Sequence, residues 1–468
     1  MGLVLVVGIV PSMLDTTIVN VALHTMGDEL GAGLSTVQWV VTGYLLALAV
    51  MIPVTGWAVD RFGGKWLFTA ATGLFAAASA LCAAAGGVGA LIGFRVLQGA
   101  AGALLMPVAQ TILVRAAGPG RMGRVMSVVG IPALLAPIFG PVLGGLIVDH
   151  LSWRWIFLVN LPIGVVSLGI SLKYLPSDRP HGVRRPFDLR GWALLSPGLA
   201  LLVYGLSRAG VTGSFANLEA WPVMAGGVLL VALFGWHAST QGQRALIPLA
   251  YFRDRAFAAA SAVTPVISIS VFGVLLLLPL YYQQVRHSDA LHAGLLLAPQ
   301  GLGTALAMPI AGRLADRLGA RPVVAAGMTL TMLGTLALTQ IGADTPYWLL
   351  AVALVVRGLG FGGSLMPAMA AGYRTLPVEA AGHASSVLQI LSRVGGTIGG
   401  ALMAVLLSQQ IGDRAPTLAT VVDAYDNTFW WATAVTTIGI GFALLLPGRA
   451  ELDQPAASPA ASSPVRDV

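Results

Sequence analysis

The sequence predicts an all-α, multi-pass membrane protein, and three observations carry that prediction. The 468 residues are 56% hydrophobic and only 10% charged, with a mean hydropathy of +0.83, far outside the range of soluble domains. Apolar runs of membrane-spanning length recur along the whole chain, and basic residues gather on alternate loops. A transmembrane barrel would instead show short segments alternating apolar and polar residues, a pattern this chain lacks.

Because the bilayer core needs about 20 apolar residues per helix, the runs divide into fourteen spans: 3–24, 35–58, 66–86, 88–113, 125–148, 155–175, 190–207, 220–238, 257–282, 292–312, 322–341, 346–370, 384–408 and 428–447. The opening Met1 to Val7 lacks the basic region of a signal peptide and runs on through Asp15. It reads as the start of the first span, with its lead-in missing or trimmed.

Charge tests the count. Of 26 Lys and Arg, three (Arg95, Arg357, Arg393) fall within spans and four (Arg154, Arg208, Arg286, Arg414) on one face, leaving nineteen for the other. Cytoplasmic loops concentrate such residues, so both termini are expected in the cytoplasm and the protein in the plasma (inner) membrane. The net charge of +7 then orients the chain and does not imply nucleic acid. Cys82 is the sole cysteine, so no intramolecular disulfide framework is possible and no thiolate metal cluster is expected. His287 and His292 lack metal spacing. No Walker loop, nucleophile elbow or H-E-x-x-H motif is present, which argues against an ATP-driven pump and against common hydrolases.

A repeat organises the chain. Gly56-Trp57-Ala58-Val59-Asp60-Arg61-Phe62-Gly63 follows the second span and Gly312-Arg313-Leu314-Ala315-Asp316-Arg317-Leu318-Gly319 the tenth, both reading G-x-x-x-D-R-x-G. Matching them predicts a six-helix bundle over 1–178, a linker with two inserted helices over 179–250, a second six-helix bundle over 251–448 and a disordered tail over 449–468. Paired halves place a substrate site between them near mid-membrane.

Within the first span, Leu14-Asp15-Thr16-Thr17-Ile18-Val19-Asn20 sets a carboxylate about twelve residues deep. A charge there is costly, and intramembrane ionisable residues are functional by default. Burial favours the neutral acid and a nearby cation the anion, so a carboxylate facing two environments in turn can load and release a proton. The competing reading is a structural carboxylate locked to Arg95 or a hydroxyl. Arg95, with Gln98 one turn away, is a buried charge that must be paired, as by satisfying backbone carbonyls. The fifth span carries Pro132, Pro137 and Pro141 with Gly130, Gly140, Gly144 and Gly145, a composition that suits either a bent helix packed on the opposite half or a merely kinked one. Trp39, Tyr44, Tyr281, Tyr282, Gln283 and Gln300 are candidates to line a cavity, with belt or packing roles as the alternative.

Taken in order, these segments resemble the fourteen-helix drug:proton antiporters of the major facilitator superfamily, of the EmrB/QacA type. Leu14 to Leu23 looks like the family's first-helix motif, although His24 stands where proline is usual. Gly56 to Lys65 resembles the superfamily's signature loop, Phe94 to Ala103 the fourth-helix arginine motif, and Gly130 to Gly145 the antiporter motif of the fifth helix. Trp153 to Pro162 resembles the segment that leads from that helix into the sixth. The resemblance implies the superfamily fold, two six-helix bundles plus two inserted helices. It implies a proton-coupled multidrug exporter, not an enzyme, that moves amphipathic, cationic or neutral compounds by alternating access. The expected driving force is the proton gradient with no cofactor, the expected partners are small molecules, protons and the bilayer, and a monomer is expected. Site residues so implied are Asp15, Arg95, Asn20 and Gln98 for proton and substrate. For a loop that latches the cytoplasmic side they are Gly56, Asp60, Arg61, Gly63 and Lys65 with Gly312, Asp316, Arg317 and Gly319. The alternatives are a dedicated exporter of one metabolite or antibiotic, an uptake system, or a membrane sensor or intramembrane enzyme without transport.

Overall fold

The computed structural model describes residues 1–117, 121–176, 186–412 and 417–448, apart from the side chains of Leu34, residues 131–138, Pro141, Ala290 and Leu291. Arg179, Arg184, Arg185, Arg414, Arg449 and Arg466, the expected tail over 449–468, and the side chains of Pro132, Pro137 and Pro141 lie outside that description.

Fourteen long helical segments follow one another among the described residues: α1 Gly2–Leu30, α2 Ser35–Phe62, α3 Gly64–Ala83, α4 Val88–Ala117, α5 Met122–His150, α6 Trp155–Tyr174, α7 Leu189–Thr212, α8 Trp221–Arg244, α9 Arg255–Gln284, α10 His292–Leu318, α11 Ala320–Gln340, α12 Tyr347–Arg374, α13 Val378–Ile411 and α14 Leu418–Ala443. Twelve of these, α1–α4 and α6–α13, are long and apolar enough to cross a membrane by length and composition alone among the described residues. Side chains such as Leu302, Leu306 and Ile310, one helical turn apart on α10, point outward at more than 60% exposure, which only a hydrocarbon surround makes favourable.

Helix starts are written into the sequence. Asp188 Oδ1 accepts the Gly191 amide at 2.8 Å to open α7, and Asp254 Oδ1 accepts that of Phe257 at 2.8 Å to open α9. Asp289 Oδ1 accepts that of His292 at 2.7 Å ahead of α10. Each such cap contributes about 1 kcal/mol. The last helix starts ten residues before the expected 428, because Thr417 and Thr420 form a capping box that carries Asp423 and Asp426 into the helix. The first helix also outruns its expected end. A 3-10 turn at Val19–Ala22 leads through His24 to Gly31, whose φ of 60° closes the helix.

In one half α1 packs on α5 and α6, α3 on α4 and α6, and α2 on α4. In the other, α9 packs on α13, α12 and α14, while α10 and α11 both pack on α12. Between the halves, α5 lies against α10 and α12, and α13 against α2 and α4. The inserted α7 wedges between α2 and α13, with α8 outside it. Only 17% of the most apolar stretch of α8 is buried, against 67% for α12, so α8 is a peripheral helix.

Candidate functional site

Asp15 falls on the buried stripe of α1, with Leu5, Gly8 and Ser12, the spacing of one helical face. It is the one acidic residue among the described residues that is fully buried. Arg95, 1% exposed on α4, donates from Nη1 to Asp15 Oδ2 at 2.5 Å and to Gln98 Oε1 at 2.6 Å, and from Nε to the Val40 carbonyl at 3.0 Å. Gln98 Nε2 donates to Asp15 Oδ1 at 3.1 Å and to Ser79 Oγ at 2.6 Å. Asn160 Nδ2 reaches the same hydroxyl at 3.1 Å. The Tyr44 ring lies 4.1 Å beneath the guanidinium, in cation–π range, and its hydroxyl donates to the Ser12 carbonyl at 3.3 Å.

Five helices therefore meet on one ion pair, and both carboxylate oxygens are satisfied. Asp15, Arg95 and Gln98 come together, and the pairing of Asp15 with Arg95 is the contact that the competing structural reading expected. Asn20 does not join them, being exposed: five residues on from Asp15 is about 140° around a helix. Ser79, Asn160 and Tyr44 complete the site instead, with Cys82, whose Sγ donates to Gln98 Oε1 at 3.6 Å. Asn160, an amide inside an apolar span, carried a signal that could have found it.

The second half holds a related but different centre. Arg357 of α12 is fully buried and donates to Gln300 Oε1 at 2.7 Å, Thr335 Oγ1 at 3.3 Å and the carbonyls of Ser270 and Val271 at 3.2 and 3.1 Å. Every acceptor is neutral. Gln300 is thus spent on an arginine, and Tyr281, whose hydroxyl donates to the Gly342 carbonyl at 2.9 Å, packs against Tyr282 and Tyr425 in an aromatic cluster. Trp39 stacks on Tyr204 and Gln283 is exposed. None of the six candidate lining residues is among those around two cavities that lie between the described helices. Met13, Thr16, Met106, Met366, Met369 and Arg393 are.

At the basic end of the bundle the two signature loops do different work. Asp316 accepts the amides of Gly123 at 2.9 Å and Arg124 at 3.1 Å, capping α5 across the divide between the halves, where charge meets the helix dipole. Asp60 instead faces Arg115 Nη2 at 3.4 Å and His383 Nε2 of α13 at 3.3 Å. A Cβ on Gly312 would strike the Gly123 carbonyl, and one on Gly56 would sit 2.6 Å from the His383 ring and 3.0 Å from its Cα, so the helices approach closely at both points. Gly63 and Gly319 take φ of 83° and 89°, open to glycine alone at little cost. Lys65 donates to the Leu172 carbonyl at 2.8 Å, while Arg61 and Arg317 are exposed. On α5, a Cβ at Gly130 would meet Met366 at 2.7 Å, at Gly140 Thr17, and at Gly144 the Ile18 carbonyl at 2.9 Å. Gly145 faces open space and plays no part in that packing.

The family model described as Major Facilitator Superfamily matches residues 5–298 and 262–467. The chain is 42% identical over 409 residues to the "Multidrug resistance protein B homolog" of Mycobacterium tuberculosis, covering 87% of this chain and 76% of that one. It is 33% identical to the "Multidrug export protein EmrB" of Haemophilus influenzae over 83% and 76% of the two chains. To the "Tetracenomycin C resistance and export protein" of Streptomyces glaucescens it is 32% identical over 88% and 77%. Among solved structures, a proton:xylose symporter, XylE, superposes with a TM-score of 0.66 at 13% identity over 96% and 97% of the chains, a likeness of fold alone. On the family match, the ordered motifs and the helix arrangement together, the chain belongs to the major facilitator superfamily.

Proposed function

We propose that the protein is a proton-coupled exporter of amphipathic organic compounds, drugs among them, that works by alternating access. The observation that carries this reading is the Asp15–Arg95–Gln98 centre, the one place among the described residues where a buried carboxylate meets a buried cation. Protonation of Asp15 removes its charge and leaves Arg95 with the Gln98 and Val40 oxygens and the Tyr44 ring. The energetic difference between the two charge states is large in a low-dielectric setting, and it biases two arrangements of α1 against α4. Relatives named for multidrug resistance and export support the transport direction.

In this reading two six-helix halves, 1–178 and 251–448, rock about a site between them, with 179–250 as an added unit. The basic end faces the cytoplasm, where Asp316 on the α5 N-terminus and Asp60 on His383 latch the halves. The proton gradient drives export without a cofactor, and the monomer is the working unit in the plasma membrane. The test is reconstitution of purified protein in vesicles with an imposed pH gradient. Wild type accumulates compound and Asp15→Asn, folded by the same unfolding assay, does not; undiminished pH-driven transport by that variant would refute the reading.

A further inference from the structure

We propose that the compounds this transporter carries include amphipathic organic acids, and that Arg393 of α13 holds their anionic group. The inference rests on the export reading and narrows its substrate class. Two cavities share Arg393 and Thr397 in their walls. One, of about 310 Å³, lies between the halves and is lined by Met13, Met106, Met366 and Met369 with Thr16 and Ser392. The other, of about 470 Å³, is built mainly of aliphatic side chains from α2, α7, α9 and α13, such as Leu48, Leu206 and Leu276.

Three arginines lie inside spans, and two are spent. Arg95 has Asp15 and Arg357 has Gln300 with backbone carbonyls. The Arg393 guanidinium is half-buried, and among the described residues no side chain or carbonyl accepts a hydrogen bond from it and no carboxylate lies within ion-pair distance. No Asp or Glu lines either cavity. The Tyr44 phenol is committed to Arg95 and the Ser12 carbonyl.

An unneutralised cation within the membrane is costly unless something pairs it. A ligand carboxylate or phenolate supplies that partner through charge-assisted hydrogen bonds to a planar donor fork. Methionine walls adapt to many shapes, so selection falls on charge. The aliphatic cavity beside Arg393 receives the apolar body, and the inserted α7 thereby forms part of the substrate site. A cationic compound, expected from the sequence, would meet Arg393 as a like charge. Substrate and proton are then held by different groups, Arg393 and Asp15, and their coupling is conformational.

The test uses the full chain in phosphatidylcholine vesicles and three fluorescent probes of one shape: dansyl-undecanoic acid, its methyl ester and the matching amine. Wild type binds the acid at least about tenfold more tightly than ester or amine, and Arg393→Gln weakens the acid about 10- to 100-fold while leaving the ester unchanged. Arg393→Lys, which keeps the charge, recovers most of the loss. Leu206→Trp, which fills the aliphatic cavity and leaves Arg393 in place, weakens the acid without abolishing its preference over the amine. If Arg393→Gln does not yield folded protein, the wild-type ranking and the Lys variant decide. Equal binding of acid and ester by wild type, or tighter binding of the amine, overturns the proposal. So does displacement of the acid by added phosphatidylglycerol, which would make the site a lipid's. Failure of the export reading looks different, since no probe of any charge then moves on a pH jump, and that overturns both.

Discussion

Arg95 and Arg357 stand on the fourth helix of their respective halves, both fully buried, yet only Arg95 faces an acid. The first is paired with Asp15, a titratable group. The second is held by an amide, a hydroxyl and two carbonyls, which are not. The two halves thus hold two buried cations, and only one of them faces a titratable acid. The contrast suggests that the N-terminal half carries the proton step and that Arg357 is a strut.

The largest expected effect separates the two centres directly. Asp15→Asn lowers pH-driven transport at least about 100-fold, whereas Gln300→Leu, at the matching partner of Arg357, lowers it no more than a few-fold, as expected if only the intramembrane ionisable group is functional. Comparable losses in vesicle transport assays would erase the distinction.

Stability gives a second, smaller difference. Arg95→Leu leaves Asp15 as an uncompensated buried charge and costs about 3–5 kcal/mol. Arg357→Leu leaves only neutral acceptors and costs about 1–3 kcal/mol. Thermal unfolding of the purified variants reads both, and adding Asp15→Asn to Arg95→Leu should recover part of the loss, a coupling that a double-mutant cycle isolates. Equal costs would mean that Asp15 carries no charge in this conformation.

The two signature loops extend the comparison to the basic end. Asp316→Asn removes a charged cap shared between the halves, worth about 1 kcal/mol, and should open that end several-fold. Asp60→Asn should act by only a few tenths of a kcal/mol, because the Asp60 carboxylate is itself partly exposed and such pairs contribute little. Thiol labelling of a Ser127→Cys reporter, buried where α5 meets α10, measures both. A larger effect from Asp60→Asn would reverse the assigned roles.

How much could be read from sequence depends on the physics of each feature. Helices and their order were legible because hydrocarbon demands long apolar runs, and Asp15, Arg95 and Gln98 because polar groups in such runs need one another. Asn20 was drawn in by proximity in sequence, though helical geometry turns it away. Ser79 and Tyr44 were illegible as partners because only packing of α2 and α3 brings them to α1 and α4, while Asn160 stood out as a polar group in an apolar run without showing what it would meet. The aromatic candidates failed for the same reason in reverse, since Tyr281 and Tyr282 spend their surface on Tyr425 and each other. The smaller cavity carries four methionines and the larger is mainly aliphatic, residues that no spacing distinguishes from core.

The central claim is that Asp15 carries the coupling proton, and the most direct test is proton release from purified protein in weakly buffered solution when a transported compound is added to saturation. Wild type should release protons, and Asp15→Asn should bind the same compound without releasing any. Release of undiminished size from Asp15→Asn would contradict the account and move the proton to another group.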